Sequence, residues 1–191
     1  VNGSGVDINY YKQSALNVGA CQFLMIARLL KDKGVLEYCE AARDVKRVYK
    51  NVSFSLAGPV DTNPTAIPLR YIQDWEGEGI GKYLGEIKDV RPILKECSVY
   101  VLPSYREGTP RTVLEAMATG RPVITTDAPG CRETVKEGFN GLRVPTGDVS
   151  ALANAMIYMI ENPSEAENMG NHGREIAEIK YDAYKVAIDM M

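Results

Sequence analysis

PSYREGTPRTVLEAMATGRPVITT, residues 103–126, runs from the end of one strand through a Gly/Pro loop and a short helix into a second strand. VYVL at 99–102 and the closing PVITT are short apolar, β-branched runs, typical of buried parallel strands. A helix that joins two parallel strands leaves the loop before it at their carboxyl ends. We predict that Thr109 caps this helix and that Pro110 is its first residue, with free N–H groups and the positive dipole end facing the loop. Such a helix start favours a bound phosphate.

Two carboxylates flank this predicted opening. Glu107 lies in the loop, and Glu115 follows eight residues later on a helix whose other side chains are mostly apolar. Carboxylates repel phosphate, so we expect both to bind hydroxyl groups. For Glu115, an ordinary solvated helix position is the alternative explanation.

Two cations follow the first predicted strand. Arg28 and Lys33 stand five residues apart across a turn, which places both at the same carboxyl edge as the helix start. Arginine binds phosphate oxygens in a bidentate manner and lysine acts as a compact point charge, so the pair suits a diphosphate. Two solvated cations on a turn are the alternative.

Strands and helices alternate along the rest of the chain, which predicts an α/β fold with a doubly wound parallel sheet of about six strands, followed by C-terminal helices. Residues 59–81 are predicted to be a long loop with one helical turn near 68–76, and residues 131–137 a short helix. We divide the chain into a linker at 1–19, a domain at 20–180 and a final helix at 181–191. That helix carries an apolar stripe of Tyr184, Ala187, Ile188 and Met191.

Composition restricts the functions that the chain can have. It has 191 residues, a formal charge of −3 and a pI of about 5.3, which argues against nucleic acid as a partner. Four cysteines without a C-x-x-C pair indicate a reducing compartment. There is no D-x-D, His172 has no neighbour at ligand spacing, and Gly77, Gly79 and Gly81 do not form a dinucleotide fingerprint, so we expect no metal and no cofactor. With no apolar run of membrane-spanning length, a cytoplasmic location is expected.

EGTPRTVLE followed by AMATGRPVI is similar to the donor-site signature of the retaining family 4 glycosyltransferases, which have the GT-B fold. The resemblance extends in order through GSGVD, ARLLKDKG, YLGEIKDV and GFNGLRV. It implies that the chain is the Rossmann-like, donor-binding half of a GT-B enzyme, with the last helix crossing back to the other half.

The resemblance also implies roles for individual residues. Glu107, Arg28 and Lys33 would be catalytic, with the two cations on the donor diphosphate and Glu107 near the transferred sugar. Glu115 would accept both ribose hydroxyls, and Ile87 would lie against the base. The implied donor-binding set is Arg28, Lys33, Ile87, Glu107, Gly108, Thr109, Pro110, Arg111, Thr112, Val113 and Glu115. Thr109 stands where many relatives have an apolar or aromatic residue, so the sugar preference does not transfer.

As a function, the resemblance implies metal-independent transfer of a sugar from a nucleotide diphosphate-sugar to a glycan or lipid-linked acceptor, in bacterial polysaccharide biosynthesis. It favours UDP over GDP as the nucleotide of the donor. Arg28, Lys33 and the helix dipole would replace Mg²⁺ at the leaving diphosphate. The partner would be an N-terminal acceptor domain that this chain lacks, through which any contact with the inner face of the membrane would occur. Without that domain we expect no transfer. The alternative is a non-catalytic nucleotide-sugar-binding module. A glycoside hydrolase using Glu107 and Glu115 as acid and base would have no use for Arg28 and Lys33, and a phosphorylase would need a lysine for its pyridoxal cofactor, for which no match is visible.

Overall fold

The computed structural model describes residues 3–17 and 19–189, with residue 189 described by its backbone alone. Its centre is a six-stranded sheet in which every pairing is parallel, in the order β3-β2-β1-β4-β5-β6. The strands are β1 Gln22–Ile26, β2 Ser53–Ala57, β3 Lys82–Tyr83, β4 Val99–Leu102, β5 Val123–Thr126 and β6 Gly141–Val144. The predicted doubly wound parallel sheet is therefore confirmed.

Seven α-helices connect or follow these strands in the described residues. They are α1 Val35–Val48, α2 Leu69–Gly77, α3 Arg91–Glu96, α4 Arg111–Thr119, α5 Val149–Glu161, α6 Pro163–Ile176 and α7 Ala183–Asp189. A 3-10 turn at Lys31–Lys33 precedes α1, and a π-helical turn at Ala177–Tyr181 joins α6 to α7.

The direction of strand addition reverses at β1. Phe23 of β1 pairs with Phe54 of β2 on one side and with Val99 of β4 on the other, so the chain adds strands outward in both directions from this point. In open α/β sheets, ligands bind beyond the carboxyl ends of the strands at such a reversal. The loops after β1, β2 and β4 therefore form the edge where a ligand is expected.

Residues 59–81 are more ordered than the sequence predicts. The expected single turn is a nine-residue helix, α2, whose Ile72 and Trp75 are fully buried. A Cβ on Gly81 would lie 2.0 Å from the Trp75 ring, so the absence of a side chain there makes room for the indole. This packing joins residues that the local Pro/Gly pattern does not connect.

Residues 131–134 form hydrogen-bonded turns and residue 137 makes an isolated bridge to Gly141, so the prediction of a short helix at 131–137 was wrong. The Thr134 hydroxyl donates to the Cys131 carbonyl at 2.6 Å. Asn140 donates from its amide to the Thr134 carbonyl at 3.0 Å and accepts from the Lys136 N–H at 2.8 Å. Side chains that occupy backbone groups in this way compete with a helix.

The two ends of the described chain pack against the domain. The Val6 N–H donates to the Tyr181 carbonyl at 2.7 Å, and the Arg174 guanidinium donates to the carbonyls of Ile8 and Tyr11. Of the apolar stripe on α7, Tyr184 and Ile188 are exposed, and Met191 lies outside the described residues. The limits 1–19, 20–180 and 181–191 stay predictions. Over residues 3–17 and 19–189, none of the helices combines the length and the apolarity that crossing a membrane requires.

Candidate functional site

The loops after β1 and β4 approach each other closely at the carboxyl edge of the sheet. Gly34, which follows the 3-10 turn, has a φ of 77°, and a Cβ there would lie 2.1 Å from the Pro103 carbonyl oxygen. The Tyr105 N–H donates to the Asp32 carbonyl at 2.9 Å, which fixes the same two loops together. Only glycine tolerates this conformation and this approach without strain.

This approach brings Lys33 and Glu107 into contact. The Lys33 ammonium lies 2.7 Å from Glu107 Oε1, and the two side chains are only 18% and 14% exposed. The Ser104 hydroxyl donates to the same oxygen at 2.7 Å, and the Glu107 N–H donates to the Pro129 carbonyl at 3.0 Å. Two donors thus occupy Oε1, and an ionised carboxylate has a second oxygen that can accept from a bound molecule.

Helix α4 begins one residue later than predicted. Pro110 is extended and occupies the N-cap position, and no side chain in the described structure caps this helix, so the prediction that Thr109 caps it was wrong. The Pro110 carbonyl accepts from the N–H groups of Val113 and Leu114. The peptide groups that open the helix at Arg111 and Thr112 lie at its positive end, which favours an anion.

Thr112 is tied to the sheet below it. The Tyr100 hydroxyl lies 2.6 Å from Thr112 Oγ1 and 3.1 Å from the Ile26 carbonyl oxygen. Burial raises the pKa of Tyr100 far above its ordinary value. This neutral bridge fixes the start of α4 against the carboxyl end of β1.

Arg28 has a different partner from Lys33. Its guanidinium pairs with Asp61 at 3.1 Å, and its side chain is 58% exposed whereas that of Asp61 is 17% exposed. Sequence reasoning missed Asp61, which stands among prolines and glycines in GPVDTNP, a segment without periodicity. Both cations lie at the carboxyl edge as predicted, but each is held by its own carboxylate.

Glu115 is the most buried of the predicted polar site residues. It is 7% exposed, and its carboxylate lies 3.5 Å from the Arg111 guanidinium one turn earlier on α4. Burial raises the pKa of Glu115, an effect that the Tyr11 hydroxyl and Arg111 oppose. The pKa of Tyr11 is raised in turn, by burial first and then by Glu115. Sequence reasoning missed Tyr11, which lies in the segment it assigned to a linker.

The remaining predicted residues occupy distinct environments. Glu115 and Arg111 line a cavity of about 420 Å³ that also includes Tyr10 and Tyr11. Gly108 and Thr109 line a separate cavity of about 490 Å³. Ile87 is half-buried in the loop between β3 and α3, whereas Val113 is fully buried, so its side chain belongs to the core.

The loop that carries Glu107 rests on the turn after β5. A Cβ on Gly130, which has a φ of 84°, would lie 2.2 Å from the Glu107 carbonyl oxygen.

Nowhere in the described part of the chain do three His, Cys, Asp or Glu side chains come together as a metal site needs. The four cysteines are free thiols, and burial raises the pKa of Cys21 to about 11 and that of Cys39 to about 12.

Comparisons with known proteins agree with this architecture. The chain is 34% identical over 164 residues to the N,N'-diacetylbacillosaminyl-diphospho-undecaprenol alpha-1,3-N-acetylgalactosaminyltransferase of Campylobacter jejuni, covering 86% of this chain and 42% of that protein. It is 28% identical over 158 residues to the capsular polysaccharide biosynthesis glycosyltransferase CapM of Staphylococcus aureus, covering 83% and 41%. The chain thus spans about two-fifths of the length of these relatives.

Solved structures share the fold over almost the whole chain. Sucrose-phosphate synthase from Thermosynechococcus elongatus matches with a TM-score of 0.84 at 26% identity, over 97% of this chain and 49% of that one. Anabaena HepE in complex with UDP and glucose matches with a TM-score of 0.84 at 24% identity, over 97% and 54%. The C-terminal domain of a group 1 glycosyl transferase from Francisella tularensis matches with a TM-score of 0.78 at 22% identity, over 93% and 98%. Because the family model of the group 1 glycosyl transferases matches residues 7–176, the chain belongs to that family.

Proposed function

We propose that this chain is the donor-binding half of a retaining, metal-independent glycosyltransferase of the family 4 type, which transfers a sugar from a UDP-sugar to a lipid-linked or glycan acceptor. The observation that carries this proposal is the contact of Lys33 with Glu107 beside the start of α4. It sets a cation and a helix N-terminus, both suited to a diphosphate, next to an oriented carboxylate suited to sugar hydroxyls.

The chemistry assigned to this edge is stabilisation of a departing nucleotide diphosphate. Arg28, Lys33 and the opening peptides of α4 take the charge that develops on the leaving phosphate, the role that a divalent metal has in other transferases. Glu107 holds the transferred sugar, and the acceptor attacks from the face that the diphosphate leaves. Glu115 accepts from the ribose hydroxyls, and the segment containing Ile87 meets the base.

The relatives support UDP as the nucleotide and a lipid-linked acceptor. HepE was solved with UDP and glucose, and a matching Escherichia coli protein is named for transfer from UDP-Gal to alpha-D-GlcNAc-diphosphoundecaprenol. By analogy we propose that the whole protein acts at the inner face of the cell membrane, in polysaccharide biosynthesis. A glycoside hydrolase, in contrast, has no use for a lysine bound to one of its two carboxylates.

Titration calorimetry of the purified chain with UDP, GDP and UDP-galactose tests the donor assignment. We expect UDP to bind and EDTA to leave its affinity unchanged. Failure of a folded chain to bind any nucleotide would overturn the proposal. Retention is tested with the full-length protein, from the anomeric configuration of its product by NMR.

We also expect the chain alone to bind donor without transferring sugar. Holding donor and acceptor in near-attack geometry with water excluded can account for about 7–11 kcal/mol of a barrier. The exposed carboxyl edge of the sheet, as one half of a cleft, does not by itself hold an acceptor in that geometry or exclude water. Release of UDP in the presence of a lipid-linked acceptor, at the rate of the full-length protein, would contradict this expectation.

A further inference from the structure

Tyr105 lies in the loop between β4 and α4, two residues before Glu107. The residue is 43% exposed, yet its hydroxyl is held by a hydrogen bond. It donates to Glu37 Oε1 on α1, and it faces Gly147, where a Cβ would approach it to 3.1 Å. The hydroxyl thus connects the loop that carries Glu107 with α1, and it lies beside the turn before α5.

Glu37 is placed to hold that hydroxyl. It is the third residue of α1, in the first turn, where the helix dipole favours a carboxylate. Its second oxygen, Oε2, is buried and has no hydrogen-bond partner among the residues that the structure describes. A buried carboxylate oxygen without a donor is costly, so the bond from Tyr105 is an important compensation for burying this side chain. The same bond raises the pKa of Tyr105.

Core packing does not explain the contact. Tyr105 is exposed, and its backbone is already fixed by the bond from its N–H to the Asp32 carbonyl. The hydroxyl therefore restrains the direction in which the loop leaves that anchor. The next anchored group along the loop is Glu107, whose N–H donates to the Pro129 carbonyl at 3.0 Å.

We propose that Tyr105 is a positioning residue whose hydroxyl, bound by Glu37, sets the loop so that Glu107 meets the sugar of the donor. This inference rests on the proposed function, because it takes Glu107 to contact the sugar while the nucleotide is bound elsewhere on the edge. It predicts that loss of the hydroxyl affects recognition of the sugar and spares recognition of UDP.

Tyr105→Phe removes the hydroxyl alone. Calorimetry measures the affinity for UDP and for three UDP-sugars, namely UDP-galactose, UDP-glucose and UDP-N-acetylgalactosamine. The quantity compared between variants is the affinity of the tightest-binding UDP-sugar divided by the affinity of UDP. We expect this ratio to fall about fivefold, the size of one ordinary hydrogen bond, with UDP affinity unchanged. Glu37→Ala should lose as much, and Glu37→Gln, which keeps an acceptor oxygen, should lose less. Tyr184→Phe, at an exposed tyrosine on α7, is the control and should change nothing.

Amide hydrogen exchange tests the same claim without ligand. In Tyr105→Phe the amides of Tyr105 and Glu107 should exchange faster, while those of β4 stay protected. An equal loss of UDP and UDP-sugar affinity, or unchanged exchange at both amides, would overturn the proposal. If the wild-type chain binds no nucleotide, the proposed function fails, and the exchange measurement alone decides the role of Tyr105.

Discussion

Replacing Lys33 by alanine is the sharpest test of the candidate site. The ammonium contacts Glu107 Oε1 at 2.7 Å, and we propose that it also reaches the donor diphosphate. Lys33→Ala removes that cation and leaves Glu107 with the Ser104 hydroxyl as the remaining donor to Oε1. An uncompensated carboxylate then faces the bound phosphates.

The magnitude follows from the burial of the pair. Lys33 and Glu107 are 18% and 14% exposed, so solvent screens their contact less than it screens a surface pair. A hydrogen bond to a charged group contributes about 1.5 to 3 kcal/mol. We therefore expect the affinity for UDP to fall roughly 10- to 150-fold.

Calorimetry with UDP measures the effect, and two further variants control it. Lys31→Ala removes the same charge from the same 3-10 turn at an exposed side chain, so it reports the loss of net charge alone. Lys33→Ala combined with Glu107→Gln restores the local charge balance and should recover part of the UDP affinity. Wild-type affinity in a folded Lys33→Ala chain, or an equal loss in Lys31→Ala, would refute the assignment of Lys33 to the diphosphate.

Three further predictions concern stability and ligand binding. Because burial raises the pKa of Glu115, its ionised form destabilises the fold at neutral pH. Glu115→Gln should therefore raise the melting temperature at pH 7, and the difference from wild type should shrink as the pH falls and the wild-type carboxyl group becomes protonated. The same variant should weaken UDP binding. A lower melting temperature at pH 7 would contradict this. EDTA should leave UDP affinity unchanged in calorimetry, and a clear loss would contradict metal independence. Gly130→Ala should lower the free energy of unfolding by more than the control variant Gly138→Ala. Gly138 has a similar φ of 71° but open space where a Cβ would lie, so its replacement should cost about 1 kcal/mol. Equal denaturant midpoints for the two variants would contradict the packing of Gly130 against Glu107.

Local patterns predict most of the fold. Most of the strands are short, largely apolar runs that stand out in the local sequence, and their alternation with helices indicates a parallel sheet. For the second helix only one turn was predicted, because the packing of Trp75 over Gly81 that supports its full length joins residues whose local sequence is rich in turn formers. The predicted helix at 131–137 failed because Thr134 and Asn140 bond to backbone groups that a helix needs.

The candidate site was predictable in its position but not in its pairing. Residue spacing places Arg28, Lys33 and Glu107 at one edge, since each follows the carboxyl end of a strand. Which carboxylate holds which cation depends on how closely the loops approach, and that depends on a backbone contact between Gly34 and Pro103. Asp61 could not be assigned to Arg28 from its own segment, which has no periodicity to fix its position.

The two ion pairs differ in what a bound diphosphate requires of them. An ammonium has three donors, so Lys33 can keep its bond to Glu107 and bind a phosphate oxygen at the same time. The guanidinium of Arg28 is 58% exposed and contacts Asp61 through one nitrogen, so it can turn toward a ligand at low cost. In the proposed function, Lys33 would therefore be a fixed link between the phosphate and Glu107, the carboxylate that we propose binds the sugar. Arg28 would be a mobile cation, which Asp61 holds in the absence of a diphosphate.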